Sequence, residues 1–201
     1  MKHSNIRTFK HSIILLALCA TGCFNEPEPA YKSVPAENRV YLSDKGLKDL
    51  KATQVAPGAD YLNLDRNQLT NVDSVASLSG LKWLRLNDNR LKELPDLKLL
   101  VNLRRIYLKG NGFTAVPETL KDLPALTDID LSGNPIKEIP QWLAEKRGLK
   151  GLSFSRTQVT KLPENLSAWQ SLQQLHLGDL NISPEEMARI RKALPNVAIV
   201  F

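Results

Sequence analysis

Cysteine occurs only at positions 19 and 23 of the 201 residues. Residues 24–201 therefore have no disulfide framework, no thiol nucleophile and no cysteine metal centre, and their stability has to come from packing. Histidine is almost as scarce, since His176 is the only one beyond His11. A lone imidazole between Leu175 and Leu177 is read as a surface residue rather than a ligand or base. No Gly-x-Ser-x-Gly elbow and no phosphate-cradling glycine loop occurs. The apolar run at 13–18 is too short to cross a bilayer as a helix. Charge of one sign is not in excess either: 27 Lys and Arg face 21 Asp and Glu, for a formal charge of +6. Residues 1–22 hold three of the bases and no acid, so without them the charge falls to +3. That mildly basic, interleaved surface is no nucleic-acid footprint. With 42% apolar and 24% charged residues, the chain has the composition of a folded protein.

What is present begins with an address. Lys2, Arg7 and Lys10 precede the apolar stretch Ile13-Ile14-Leu15-Leu16-Ala17-Leu18, and small residues Ala20-Thr21-Gly22 lead into Cys23. This is the layout of an export signal over residues 1–22. Ala20-Thr21-Gly22-Cys23 resembles the bacterial lipobox, although Ala20 stands where Leu is usual. That resemblance implies acylation of Cys23, anchorage to a lipid bilayer and, with Phe24 following the cysteine, delivery to the outer membrane. Several acyl chains, at ~0.8 kcal/mol per buried methylene, would hold the chain stably. Residues 23–38 carry Pro27, Pro29 and Pro35 among polar neighbours and read as a flexible tether.

Beyond position 38 one pattern recurs about seven times. The clearest copies are Leu81-x-x-Leu84-x-Leu86-x-x-Asn89-x-Leu91, Leu103-x-x-Ile106-x-Leu108-x-x-Asn111-x-Phe113 and Leu126-x-x-Ile129-x-Leu131-x-x-Asn134-x-Ile136. The corresponding positions 45, 67, 89, 111, 134, 157 and 180 repeat every 22 or 23 residues. A period of that length with an L-x-L heart predicts a short strand per repeat, its alternate side chains turned inward. The asparagines 67, 89, 111 and 134 are expected to form an internal ladder that satisfies turn backbone. Leu94-Pro95, Val116-Pro117, Ile139-Pro140 and Leu162-Pro163 predict short irregular or 3-10 segments on the outer side. The pattern resembles leucine-rich repeats of bacterial proteins, including those of internalin type. The resemblance implies an α/β solenoid over 39–182, curved, with a parallel sheet on its concave face.

Residues 183–201 are expected to cap it. Ser183-Pro184-Glu185-Glu186 supplies an N-cap, a first-turn proline and a glutamate three residues after the serine. Met187, Ile190 and Leu194 share one helical face, Pro195 stops the helix, and Val197 to Phe201 can return as a last strand.

Chemistry is sparse. Asp128 and Asp130 share a strand face and are expected to be solvated or to contact a partner rather than to catalyse. We expect no enzyme activity, no metal and no cofactor. The variable positions of the strands give Arg39, Tyr61, Trp83, Arg105, Asp128, Gly151 and Gln174, then Tyr41, Asn63, Arg85, Tyr107, Asp130, Ser153 and His176. Tyr, Trp and Arg are enriched at binding hot spots, so Tyr41, Tyr61, Trp83, Arg85, Arg105 and Tyr107 are the candidate ligand-binding residues of the concave face. The alternative is that they only stack on one another across strands. The sequence-level expectation is a monomeric, envelope-anchored lipoprotein that binds another protein and no nucleic acid. A host-directed adhesin of internalin type and a glycan or lipopolysaccharide binder are the other readings.

Overall fold

The computed structural model describes residues 38–51 and 55–201. The residues read above as an export signal, Cys23 and nearly all of those read as a tether lie outside the described residues. Each repeat contributes one three-residue strand: β1 (Arg39–Tyr41), β2 (Tyr61–Asn63), β3 (Trp83–Arg85), β4 (Arg105–Tyr107), β5 (Asp128–Asp130), β6 (Gly151–Ser153) and β7 (Gln174–His176). An eighth, β8 (Ala198–Val200), comes from the cap. All pair in parallel and in sequence order, β1 to β8, into one curved sheet. The register keeps equivalent positions opposite each other, Trp83 beside Arg105 and Arg85 beside Tyr107.

The apolar positions stack into continuous rows. Leu62, Leu84, Ile106, Ile129, Leu152 and Leu175 form one, and Leu64, Leu86, Leu108, Leu131, Phe154 and Leu177 the next, all essentially without solvent exposure. The outer side is closed by 3-10 turns at Asp73–Ser77, Glu118–Leu120 and Ser167–Ser171 and by the short helix α1 (Gln141–Glu145). Pro117 and Pro140 cap two of these, as the Val-Pro and Ile-Pro pairs suggest.

The asparagine ladder is present, and its bonds explain the residue choice. Asn134 Nδ2 donates to the carbonyls of Leu108 and Leu131 at 2.9 Å and of Ser132 at 3.2 Å, while its Oδ1 accepts from Phe113 N–H at 3.2 Å. Asn67, Asn89 and Asn111 repeat the arrangement. A primary amide sets two N–H donors on one atom beside an acceptor oxygen, which a hydroxyl cannot do. Thr157, in the same place, retains one long contact of its hydroxyl with Val159 N–H at 3.5 Å.

The residue before each ladder position adopts a left-handed backbone: Asp44, Arg66, Asp88, Gly110, Gly133, Arg156 and Asp179 have φ between 54° and 66°. Only two of the seven are glycine. The N–H of Arg66 donates to Asn87 O and that of Arg156 to Gly178 O, at 2.8 and 2.9 Å. Inter-repeat bonding thus holds arginine in a conformation that costs an L residue roughly 1–2 kcal/mol. At Gly110 a Cβ would meet the Asp88 carboxylate, so a side chain there requires the exposed Asp88 side chain to move aside.

The cap forms as expected, with one difference. Ser183 Oγ accepts from Glu186 N–H at 3.2 Å at the start of α2 (Pro184–Ala193), Ile190 and Leu194 are buried, and β8 pairs with β7. The Glu186 carboxylate, however, reaches the preceding repeat. It accepts from Leu162 N–H at 2.8 Å and from Arg189, whose Nη2 donates to Leu162 O at 3.0 Å. The cap is therefore pinned to the solenoid by polar bonds as well as by its apolar face.

Candidate functional site

Strand positions three and five turn to the concave face, and four aromatic rings meet there across β1 to β4. Ring centroids are 5.3 Å apart for Tyr41 and Tyr61, 5.2 Å for Tyr61 and Trp83 in an edge-on contact at 84°, and 5.9 Å for Trp83 and Tyr107. Two guanidinium groups lie over this row: Arg85 is 5.4 Å from the Tyr107 ring centre and Arg105 is 4.9 Å from that of Trp83. These distances suit aromatic pairing and cation–π attraction, each worth about 0.5–1.5 kcal/mol. The six sequence-selected residues are thus one contiguous row rather than scattered side chains.

Their exposure is uneven. Tyr41 is 48% exposed, whereas Tyr61 and Tyr107 are each only 5% exposed, shielded by the rings and guanidinium groups beside them. Facing away from the core does not make those two side chains accessible. Burial pushes the Tyr107 phenol up to about 12, so it stays neutral at physiological pH. Trp83, Arg85 and Arg105 are half-buried and, with Tyr41, make up the solvent-facing part of the row.

Each arginine is also steadied by an acid. Asp65, itself 2% exposed, accepts from Arg85 Nε at 2.7 Å and pairs with Nη2 at 2.6 Å. Its other oxygen accepts from Asn87 N–H at 2.8 Å. Asp128 lies 3.5 Å from Arg105 Nε and accepts from Thr127 Oγ1 at 2.6 Å. The period singled out hydrophobic and asparagine positions and passed over Asp65. Its acidic type two residues before Asn67, and one repeat before an arginine, was the available signal.

The C-terminal half of the face differs. Asp130 is 2% exposed and is not a solvated carboxylate: its Oδ1 accepts from Ser132 N–H at 2.9 Å and from Ser132 Oγ, which lies 2.6 Å from Ser153 Oγ. Burial raises its pKa, against the lowering effect of the Ser132 bonds and of Lys109 and His176 nearby. Burial lowers that of His176. A folded pKa above the unfolded one means that charged Asp130 opposes folding at neutral pH, an opposition relieved as pH falls through its titration. Asp130→Asn is therefore expected to be more stable than wild type at pH 7, with the difference closing as pH falls towards 4. Thermal melts of both proteins across that range check it; a gap that widens on acidification would refute it.

Among the described residues, no group of three or more His, Cys, Asp or Glu is placed to hold a metal ion, and no helix is long and apolar enough to cross a membrane.

Fold and face together define a leucine-rich-repeat solenoid with an aromatic and arginine row on its concave side. The leucine-rich-repeat family model matches residues 79–136. Among solved structures, a leucine-rich-repeat protein of Leptospira interrogans is 34% identical with a TM-score of 0.67, covering 72% of this chain and 38% of that one. An internalin of Listeria monocytogenes shares the fold at 21% identity, with a TM-score of 0.63 over 78% of this chain and 51% of that one. Zebrafish (Danio rerio) keratocan is 27% identical over 124 residues, which are 59% of this chain and 33% of keratocan. The chain thus spans about a third of the length of that curated relative.

Proposed function

We propose that this chain is a non-enzymatic binding protein of the bacterial cell envelope, anchored by lipid on Cys23, whose concave face receives another protein. The observation that carries the reading is the unbroken row from Tyr41 to Tyr107 with Arg85 and Arg105 laid over it. Rigid rings and oriented guanidinium groups offer large contact area at little entropic cost, the composition found at interface hot spots. Stacking within the face fixes these groups before a partner arrives, so less ordering is needed on binding. The likeness to internalin concerns the fold and is no argument for its ligands.

Binding through this face is tested by whole-cell cross-linking from photoreactive residues at Tyr41 and Trp83, with identification of the adducts. The anchor is tested separately. Cys23→Ser is expected to move the protein from the detergent-extracted membrane fraction into a soluble or unprocessed form. Wild-type protein already found in the soluble fraction would end the lipid-anchor reading and leave the groove reading intact.

A further inference from the structure

The aromatic row has a hydrogen-bonding bias that narrows what its partner can offer, an inference that rests on the groove reading above. Arg39, Arg85 and Arg105 carry N–H donors and no acceptor. The acids beside the last two are engaged: Asp65 is buried against Arg85 and Asn87, and Asp128 faces Arg105 and Thr127. Those pairings balance the charge of both arginines, so this part of the face selects no anion. Asn63 lies on β2, between Tyr41 and Arg85 in register. Its Oδ1 accepts from Asp65 N–H at 2.9 Å, so what Asn63 has left to offer is its two N–H donors. Asp65 engages Arg85 through Nε and Nη2, and a guanidinium has five N–H groups in all. The row is therefore rich in donors and aromatic carbon and poor in acceptors.

The sheet backbone adds no acceptor, because β2, β3 and β4 are each paired on both sides. A partner segment in β conformation would press N–H groups against this face with nothing to receive them, and a buried unpaired group costs about 1–3 kcal/mol. Polyproline II has the opposite balance. Each proline lacks the N–H, and the carbonyls, free of internal bonds, remain available as acceptors. The spacing agrees. Tyr41 is 48% exposed and Trp83 half-buried, and they flank the buried Tyr61 at 5.3 and 5.2 Å. They stand on β1 and β3, two strand spacings or about 9.6 Å apart. Polyproline II repeats every three residues over about 9.3 Å, whereas a strand sets its same-face side chains about 6.6 Å apart. We propose that the partner is a protein presenting a proline-rich segment in polyproline II conformation, laid across the strands from Tyr41 to Trp83. Prolines at positions i and i+3 cover those two rings, and the carbonyls between them accept from Asn63 and Arg85. The stiffness of such a segment keeps its ordering cost low.

The experiment titrates the whole chain calorimetrically with acetyl-Ala-Pro-Pro-Ala-Pro-Pro-Ala-amide and with the same peptide whose last two prolines are alanine. Acetyl-Thr-Val-Thr-Val-Thr-Val-Thr-amide serves as the strand-forming probe and cellohexaose as the sugar probe. The four-proline peptide is expected to bind about tenfold more tightly than either other peptide, a margin of about 1.4 kcal/mol. Tyr41→Ala should erase its advantage over the two-proline peptide, since one proline then has no ring to cover. Asn63→Asp keeps an oxygen for Asp65 N–H but removes the donors, and should weaken the four-proline peptide about tenfold. Thermal melts confirm that each variant is folded. Equal affinity for the two proline peptides, preference for the strand-forming peptide, no binding of the four-proline peptide, or tighter binding of cellohexaose with the same dependence on Tyr41 would each overturn the inference. Failure of the groove reading looks different. Equal affinities that both fall in a folded Trp83→Ala protein would remove only the polyproline preference, whereas peptide binding unchanged by Trp83→Ala and by Tyr41→Ala would place binding outside the groove.

Discussion

Trp169→Ala is expected to lower the unfolding free energy by about 4 kcal/mol, among the largest losses that a single substitution in this chain can cause. Trp169 has no solvent exposure, and its Nε1–H donates to Leu143 O at 2.8 Å, joining the Ser167–Ser171 turn to α1. Removing the indole opens a cavity that two short backbone segments can fill only partly, and truncations of this kind cost about 3–5 kcal/mol. It also strips the Leu143 carbonyl of that donor. Trp169→Phe separates the two contributions, since it keeps most of the volume and loses the donor. Urea melts measure both variants. A loss below about 1 kcal/mol for Trp169→Ala would show that the outer side of the solenoid is far more plastic than its packing indicates.

Asn134→Ala is the second. The amide closes four hydrogen bonds among groups that are almost wholly buried, and alanine cannot replace any of them. A buried group left without a partner costs about 1–3 kcal/mol, so a loss of about 3 kcal/mol is expected. Because each repeat is stabilised by its neighbours, the damage should spread to the adjoining turns and expose Phe113 N–H to hydrogen exchange. Lys121→Ala, at an exposed side chain of the outer surface, is the control and should change stability by less than about 0.5 kcal/mol. Equal behaviour of the two variants would refute a structural ladder.

Those two sites also mark what was legible in the sequence. The strands, their register and the asparagine ladder followed from a 22- or 23-residue period, because every repeat must present the same inward positions to its neighbour. The eighth strand followed from the apolar run after Pro195. The left-handed backbone at Arg66 and Arg156 was not legible. Arginine carries no preference for that conformation, and the inter-repeat bond that enforces it exists only in the stack. The destination of Glu186 was hidden for a similar reason: its spacing from Ser183 announces a local capping pair, while tertiary packing sends it to Leu162.

The candidate site was legible in its membership and less so in its geometry. Alternation along a strand assigns Tyr61 and Tyr107 to the concave face, but it does not say that adjacent rings and guanidinium groups will cover them. The same rule placed Asp130 beside Asp128 and missed the hydroxyl pair, Ser132 and Ser153, that encloses it. Asp65 was overlooked because its role, orienting Arg85 from one repeat away, depends on a contact between repeats, of which its acidic type near Asn67 was the one local sign.

The central claim is that a protein partner binds on the concave face, and one comparison tests it most directly. Photoreactive residues are placed singly at Tyr41, at Trp83 and, on the outer surface, at Lys121 in the intact chain, and whole cells are irradiated. The same protein adduct is expected from Tyr41 and Trp83, lost when Arg105→Gln is combined with Trp83→Ala in the Tyr41-labelled protein, and no such adduct is expected from Lys121. A specific adduct from Lys121 with none from either groove position would contradict it.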